Sequence, residues 1–375
     1  DYFLDTGEAE KPNMVTSDAF FKGIDKISKQ PFRTVPYFDP GVWGGQWMKE
    51  KFDLDADESN FAWSFDGVPE ENTLQMQYGN IIFKTPCINL VFLKPQELLG
   101  KKVHATFGTE FPIRFDLLDT MDGQNLSLQV HPLTEYIQEN FHMHYTQDES
   151  YYILDAGEDA FVYIGLKENI DRQAFIRDLR LAEKGDIVFP AEKYINKIPV
   201  KKHDHISIPA GTIHCSGKNT MVLEISATPY IFTFKLWDWE RVGLDGLPRP
   251  IHIEHGLKNI QWDRDTKWVM DNLIDQTAVI DKTENALTER TGLNEMEFID
   301  VLRYSFTGRK DLQTYGSVNV LNLVEGDEVT VRSMNHEFED FTVHFAETFI
   351  IPASVETFSL IAGNDKKPVK VVQAI

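Results

Sequence analysis

The chain has 375 residues, 42% of them hydrophobic, and a formal net charge of −22, so it has room for two or three domains with real cores and is not a disordered chain. A surface that acidic repels phosphate backbones and anionic lipids, which argues against a nucleic-acid or membrane partner, and no apolar run approaches the length of a membrane span. The cysteines, Cys87 and Cys215, are too few for a disulfide framework, and residues 1–12 are acidic and polar with no signal peptide, so a reducing, cytoplasmic setting is expected.

Phe20, Phe21, Ile24 and Ile27 lie at helical spacing, which predicts a helix within 13–30 capped by Ser17 or Asp18. Residues 31–40 are a Pro-rich extended connection, and the paired Gly44 and Gly45 between Trp43 and Trp47 suggest a tight turn pinned by aromatic packing. Strands are expected at 61–65, 80–84, 88–93, 102–107 and 113–118, with turn signals at Asp66-Gly67 and Asp122-Gly123. Residues 126–131 alternate strictly. Leu126, Leu128 and Val130 share the buried face; Ser127, Gln129 and His131 share the other, until Pro132 ends the strand. Strands at 151–154 and 160–164 precede a helix over 168–182, then strands resume at 187–190, 205–209, 221–226 and 231–237. A helical stretch at 259–276 leads into a last β segment with strands at 296–304, 317–323, 329–332, 341–345, 348–352, 357–361 and 369–372. So many short strands with regular turns make a β-sandwich or barrel.

A weak internal repeat lays 204–214 over 347–357, so that the strand and its Ile-Pro-Ala turn recur while His214 falls on Thr357. We read two related β-barrels, the first with a metal site and the second without. The expected organisation is an N-terminal helix and connection over 1–40, a metal-binding barrel with a helical insertion over 41–258, a helical connector over 259–295, and a degenerate barrel over 296–375. The state expected is a monomer.

Four side chains suit a shared ion: Gln129, His131, Glu149 and His214. Two imidazoles, a carboxylate and an amide oxygen form a borderline-hard set for one zinc ion, and also for Mn, Fe or Co. So few protein ligands leave room for water or substrate, which marks catalysis rather than a structural staple. The gaps between them are long and match no compact metal signature, so spacing alone does not assign them.

The ordered segments Gln-Val-His-Pro, Glu-Ser-Tyr-Tyr-Ile, Pro-Ala-Gly-Thr-Ile-His and Val-Leu-Glu resemble the type I mannose-6-phosphate isomerases, zinc enzymes of the cupin (jelly-roll) fold. The resemblance runs from about Trp43 to Arg241. It includes Trp43-Gly44-Gly45, the segment from Phe111-Pro112 to Leu117-Leu118-Asp119, and the stretch 232–241. It implies a mainly β chain of two cupin-like barrels with a few peripheral helices. It assigns Gln129, His131, Glu149 and His214 to zinc and Ser127 to phosphate. The chemistry implied is aldose–ketose isomerisation of mannose 6-phosphate to fructose 6-phosphate through a cis-enediol. Glu224 is the candidate base, or else the group that orients His214. Lys235 is the candidate cation over the substrate, with Arg241 also substrate-binding.

The chain departs from this pattern where charge matters. Asp116 and Gln147 stand where the family has lysines, Lys235 stands for an arginine, and Phe61 for a glutamate. A phosphate ester needs convergent Lys or Arg, so the metal half of the site is kept and the phosphate half altered. Two rival readings follow: an isomerase or epimerase of a different or non-phosphorylated sugar, and a cupin that binds metal and sugar without turnover. The polar stretch 201–205, with His203 and His205, reads as an exposed strand start, and Trp237 and Trp239 as packing residues rather than sugar platforms.

Overall fold

The alternation around Gln129 becomes the strand Leu128–Val130 in a five-stranded antiparallel sheet. Its order is Ile195–Pro199, Phe161–Leu166, His214–Ser216, Leu128–Val130 and Phe234–Trp237. The fold is that of a computed structural model, which describes residues 2–4, 13–15, 17–54, 60–69, 71–78, 81–227, 232–292, 295–364 and 366–375.

A six-stranded sheet faces the first, in the order His205–Ile208, Glu149–Ala156, Thr220–Ser226, Arg114–Asp119, Trp63–Phe65 and Tyr37–Asp39. Leu118, Ile153 and Val222 of this sheet share a buried cluster with Val162 and Ile164 of the other. In register, Val222 sits opposite both Ile153 and Leu118, so these three mark one face. Glu149, Tyr151, Glu224 and Asp116 have the same strand parity and line that face further along. The polar site is therefore set between two sheets, beside an apolar filling.

The same plan recurs towards the C-terminus. A second six-stranded sheet runs Thr277–Lys282, Ala286–Thr291, Val301–Phe306, Val369–Ala374, Asn319–Glu325 and Thr348–Ile351. A four-stranded sheet of Arg309–Gln313, Thr357–Ala362, Glu328–Ser333 and Phe341–His344 closes over Leu321, Val331, Phe349 and Leu360. The repeat seen in the sequence maps onto equivalent places: His205–Ile208 and Thr348–Ile351 each end a six-stranded sheet. The two six-stranded sheets join at their outer faces, where Phe115, Leu117, Leu223 and Ile225 share one cluster with Val320, Val372 and Ala374. The helix Ser17–Ile27 adds Phe20 and Ile24 to it.

Several local expectations change. Residues 277–291 are not part of a helical connector: helices occupy Ile253–Asn259 and Thr266–Asn272, and the next two strands form a hairpin in the C-terminal sheet. The first of these strands is exposed along its whole length, so burial left no apolar pattern to read. Ile88–Leu93 and Lys101–Phe107 are helices rather than strands. A short apolar run fits either state, and Gly100 and Gly108, at positive φ of 86° and 65°, bracket the second helix. Residues 187–190 form no strand; the helix Ala191–Tyr194 follows them directly. Residues 13–15 pair as a strand with 2–4 instead of opening the first helix. Asn80 and Ile231, expected in strands, and most of 1–12 lie outside the described residues.

Candidate metal centre

His131 follows the strand Leu128–Val130, Glu149 opens Glu149–Ala156, and His214 opens His214–Ser216. Strand ends from two facing sheets thus deliver three buried side chains to one point, and their ligand atoms all lie within 4.8 Å of one another. His131 Nε2 is 3.0 Å from Glu149 Oε2, and His214 Nε2 is 2.7 Å from Glu149 Oε1. The other ring nitrogens are committed. His131 Nδ1 donates to the Phe232 carbonyl at 2.8 Å, and His214 Nδ1 donates to the Thr212 carbonyl at 2.9 Å. Those bonds fix the proton on Nδ1 and leave each Nε2 with a lone pair aimed at a carboxylate. Buried lone pairs facing one another repel unless a cation sits among them. His131 Nε2 and Glu149 Oε1 are moreover buried with no hydrogen-bond partner. The donor set fits a divalent metal ion.

Gln129 lies beside the group, on the strand paired with that of His214. It pairs in register with His214 on one side and Lys235 on the other, and its amide lies 3.2 Å from His214 Nε2. Turning the amide over puts its oxygen in that place. Burial pulls the His131 ring towards neutrality, but the Glu149 charge outweighs it and the ring's pKa is raised. Burial also works against the Glu149 charge, yet the two histidines hold its carboxyl well below the ordinary carboxylate range.

A carboxylate wall stands beside Glu149. Glu224 sits between Tyr151 and Asp116 in register, and all three are buried. The Gln147 amide donates to Glu149 Oε2 at 2.9 Å and to Glu224 Oε1 at 3.3 Å, and its carbonyl accepts the Phe232 N–H at 2.8 Å. Burial first, then the charges of Glu149 and Asp116, push the Glu224 carboxyl well up. Asp116 is raised to about 7, chiefly by burial, against the pull of Arg114. Arg114 lies 3.8 Å from Asp116 and 3.3 Å from Glu71. His214 Nδ1 is held by the Thr212 carbonyl, and Glu224 meets the Gln147 amide.

The opposite flank is cationic. Ser127 donates to Asp238 Oδ1 at 2.8 Å, and Asp238 also receives Arg241 at 2.5 Å. The Lys235 side chain is half-buried; burial and the nearby Arg249 hold its ammonium below the ordinary lysine range. Trp237 packs on Phe189, and the Trp239 indole donates to the Leu126 carbonyl, so both serve packing. The stretch 201–205 is not an exposed strand start. His205 is buried between Ser150 and Thr291, and His203 bridges Tyr152 and Glu325.

Sequence reasoning missed Arg264 and Arg249. Arg264 donates to the carbonyls of Pro209 and Ala210 at 2.9 and 2.7 Å and to the Thr212 hydroxyl, bracing the turn that presents His214. Arg249 lies in a connection outside any strand, and Arg264 lies in the turn between the helices Ile253–Asn259 and Thr266–Asn272, inside the stretch expected to be helical; neither position carried a site motif.

Facing antiparallel sheets with a buried His–Glu–His cluster between them define a cupin-type protein. The resemblance read from the sequence holds, for its homologues are named mannose-6-phosphate isomerases. The chain is 24% identical over 304 residues to mannose-6-phosphate isomerase ManA of Bacillus subtilis (strain 168), covering 80% of this chain and 87% of that protein. The crystal structure of the mannose 6-phosphate isomerase from Bacillus subtilis superposes with a TM-score of 0.74 at 18% identity, covering 92% of this chain and 99% of that one. A zinc-bound mannose 6-phosphate isomerase superposes with a TM-score of 0.67 at 13% identity, over 92% of this chain and 98% of that one. At these identities the structural likeness establishes the fold. No protein-family model matches the chain.

Proposed function

We propose that this chain is a metal-dependent aldose–ketose isomerase that interconverts mannose 6-phosphate and fructose 6-phosphate. The observation that carries the reading is the convergence of His131 Nε2, Glu149 and His214 Nε2 in a buried pocket of a fold shared with mannose 6-phosphate isomerases. Gln129, His131, Glu149 and His214 would hold one ion, zinc by donor type, with Mn, Fe or Co admitted by the same set. A bound ion of this kind supplies positive charge that polarises a carbonyl and orients hydroxyls.

The chain's own residues supply the proton chemistry. Isomerisation moves a proton between C1 and C2, so it needs a base beside the metal pocket. Glu224 is buried there and is held by Gln147, which also holds Glu149. Its raised pKa makes its carboxylate a stronger base than an ordinary one. Lys235, cross-strand from Gln129, offers a cation to the oxyanion of the enediol, and Ser127 and Arg241 stand on its side of the pocket. We assign the protein to the cytoplasm, as a monomer acting on a small-molecule sugar phosphate without nucleic acid or membrane. Among the described residues, no helix is long and apolar enough to cross a membrane.

One observation favours a second reading, a non-phosphorylated sugar: both oxygens of Asp116 are buried without a hydrogen-bond partner, as acceptors for hydroxyls would be. Turnover of mannose 6-phosphate and of free mannose by zinc-loaded and chelated enzyme separates the two. Zinc-dependent turnover of the phosphate ester is expected. His131→Ala and His214→Ala should each lose metal in elemental analysis, and unchanged metal content in both would refute the ligand set.

A further inference from the structure

We propose that Arg249 seats the anionic end of the substrate, a dianionic phosphate ester, in a donor cluster built on Asp238. The inference rests on the isomerase reading above and names the residue that takes over from the lysines absent at Asp116 and Gln147.

Arg249 lies outside any strand, in the connection after Phe234–Trp237. Its guanidinium stacks over the Trp43 indole, 4.4 Å from the ring centre, and Arg241 stands 5.8 Å from the same ring. Both arginines converge on Asp238, Arg241 at Oδ1 and Arg249 Nη1 at 3.0 Å from Oδ2. That carboxylate also accepts from Ser127. Among the described residues, Lys235 makes no ion pair, although its ammonium feels Arg249, Arg241 and Asp238. Two arginines therefore share one carboxylate, and with Lys235 near enough to feel all three the cluster carries surplus positive charge inside a chain of net charge −22.

The cluster also holds donors without acceptors. Arg241 Nε and Trp43 Nε1 are buried with no hydrogen-bond partner, while Arg249 Nη1 and Asp238 Oδ2, 3.0 Å apart, meet as an ion pair. Buried donors and surplus positive charge are costly unless an anion with several acceptor oxygens meets them. A guanidinium held over an indole carries a planar fork of donors that matches a phosphate in two places. The position also suits a substrate that reaches the metal pocket. Ser127 immediately precedes the strand Leu128–Val130, two residues and roughly 7 Å from Gln129, and Lys235 is Gln129's partner on the next strand.

The pocket is thereby polarised. Carboxylates on the six-stranded sheet face the sugar's hydroxyls, and cations at the edge of the five-stranded sheet face its charged tail. The seat for the anion has moved from one sheet to the other, and the missing lysines no longer argue against a phosphate ester.

The test measures inorganic phosphate binding by calorimetry, and Michaelis constants for mannose 6-phosphate, in the zinc-loaded protein and in R249Q and R249K. R249Q should weaken phosphate roughly 10–100-fold and raise KM by a similar factor, with metal content and melting temperature unchanged. R249K, which keeps the charge but not the fork, should fall between. Wild-type protein that binds no phosphate, or a folded R249Q that binds it as well as wild type, overturns the proposal. Phosphate binding that depends on Arg249 in a protein that turns over no sugar phosphate would uphold the seat and defeat the isomerase reading alone.

Discussion

Gln147 ties two carboxylates together with one amide group. Its NH2 donates to Glu149 and Glu224, and its carbonyl is pinned by the Phe232 N–H. A lysine there would bring a charge to neutralise both acids; with the amide, burial first and then the repulsion of Glu149 and Asp116 push the Glu224 pKa up. Glu224 touches no ring nitrogen of His131 or His214, so its removal should spare the metal. Glu224→Gln is expected to lower kcat roughly 10²–10⁴-fold while elemental analysis shows full metal occupancy. Loss of the metal together with activity would make Glu224 a structural support instead.

At the scale of elements, the turn between His205–Ile208 and His214–Ser216 controls the centre. Gly211 takes a φ of +86° there, and a Cβ on it would meet Gln261 at 2.7 Å and the Asn259 carbonyl at 2.9 Å. Gly211→Ala should therefore cost about 1–3 kcal/mol in urea unfolding and weaken metal binding, because the displaced turn carries Thr212, the anchor of His214 Nδ1. An unchanged metal dissociation constant would show that His214 is placed by its strand alone. The Pro-Ala-Gly-Thr turn was legible in the sequence because glycine marks it. So was the strand of Gln129 and His131, because one face of it is buried and the other polar. The helices at 88–107 were not: their apolar residues come in one short run, and tertiary packing of Leu90, Val91, Leu98 and Leu99 decides the state. The hairpin over 277–291 was hidden because its outer strand is exposed along its whole length, so no buried face left an apolar alternation to read. Arg249 and Arg264 matter only through partners distant in sequence, which no local pattern encodes.

In the whole molecule, the two pairs of sheets are joined by polar contacts as well as by their common apolar cluster. Asp66, just after Trp63–Phe65, accepts the Thr348 N–H at 2.9 Å. Burial raises its pKa to about 7, against the pull of that bond. The native state thus keeps a proton that the unfolded chain releases above about pH 4, so this group's contribution to stability falls as pH rises from about 4 to 7 and stays low beyond. Asp66→Asn keeps the acceptor and removes the titration. The variant should gain roughly 4 kcal/mol over wild type at pH 8 and little near pH 4, measured by urea unfolding across that range. A difference that does not grow with pH would mean that Asp66 is already ionised when folded.

The short bridge between Phe32 and Ile350, each residue's N–H donating to the other's carbonyl at 3.0 and 2.8 Å, lies along the outermost strand of the C-terminal six-stranded sheet. Those backbone groups would otherwise be open to a foreign strand. The polypeptide's early stretch acts as a latch on its late one, shielding a ribbon that could stack copy upon copy. Displacing the stretch around residue 32 would bare that ribbon and pull the Phe32 side chain out of the core it shares with Ile350, so edge-to-edge association is a hazard of disturbing this region.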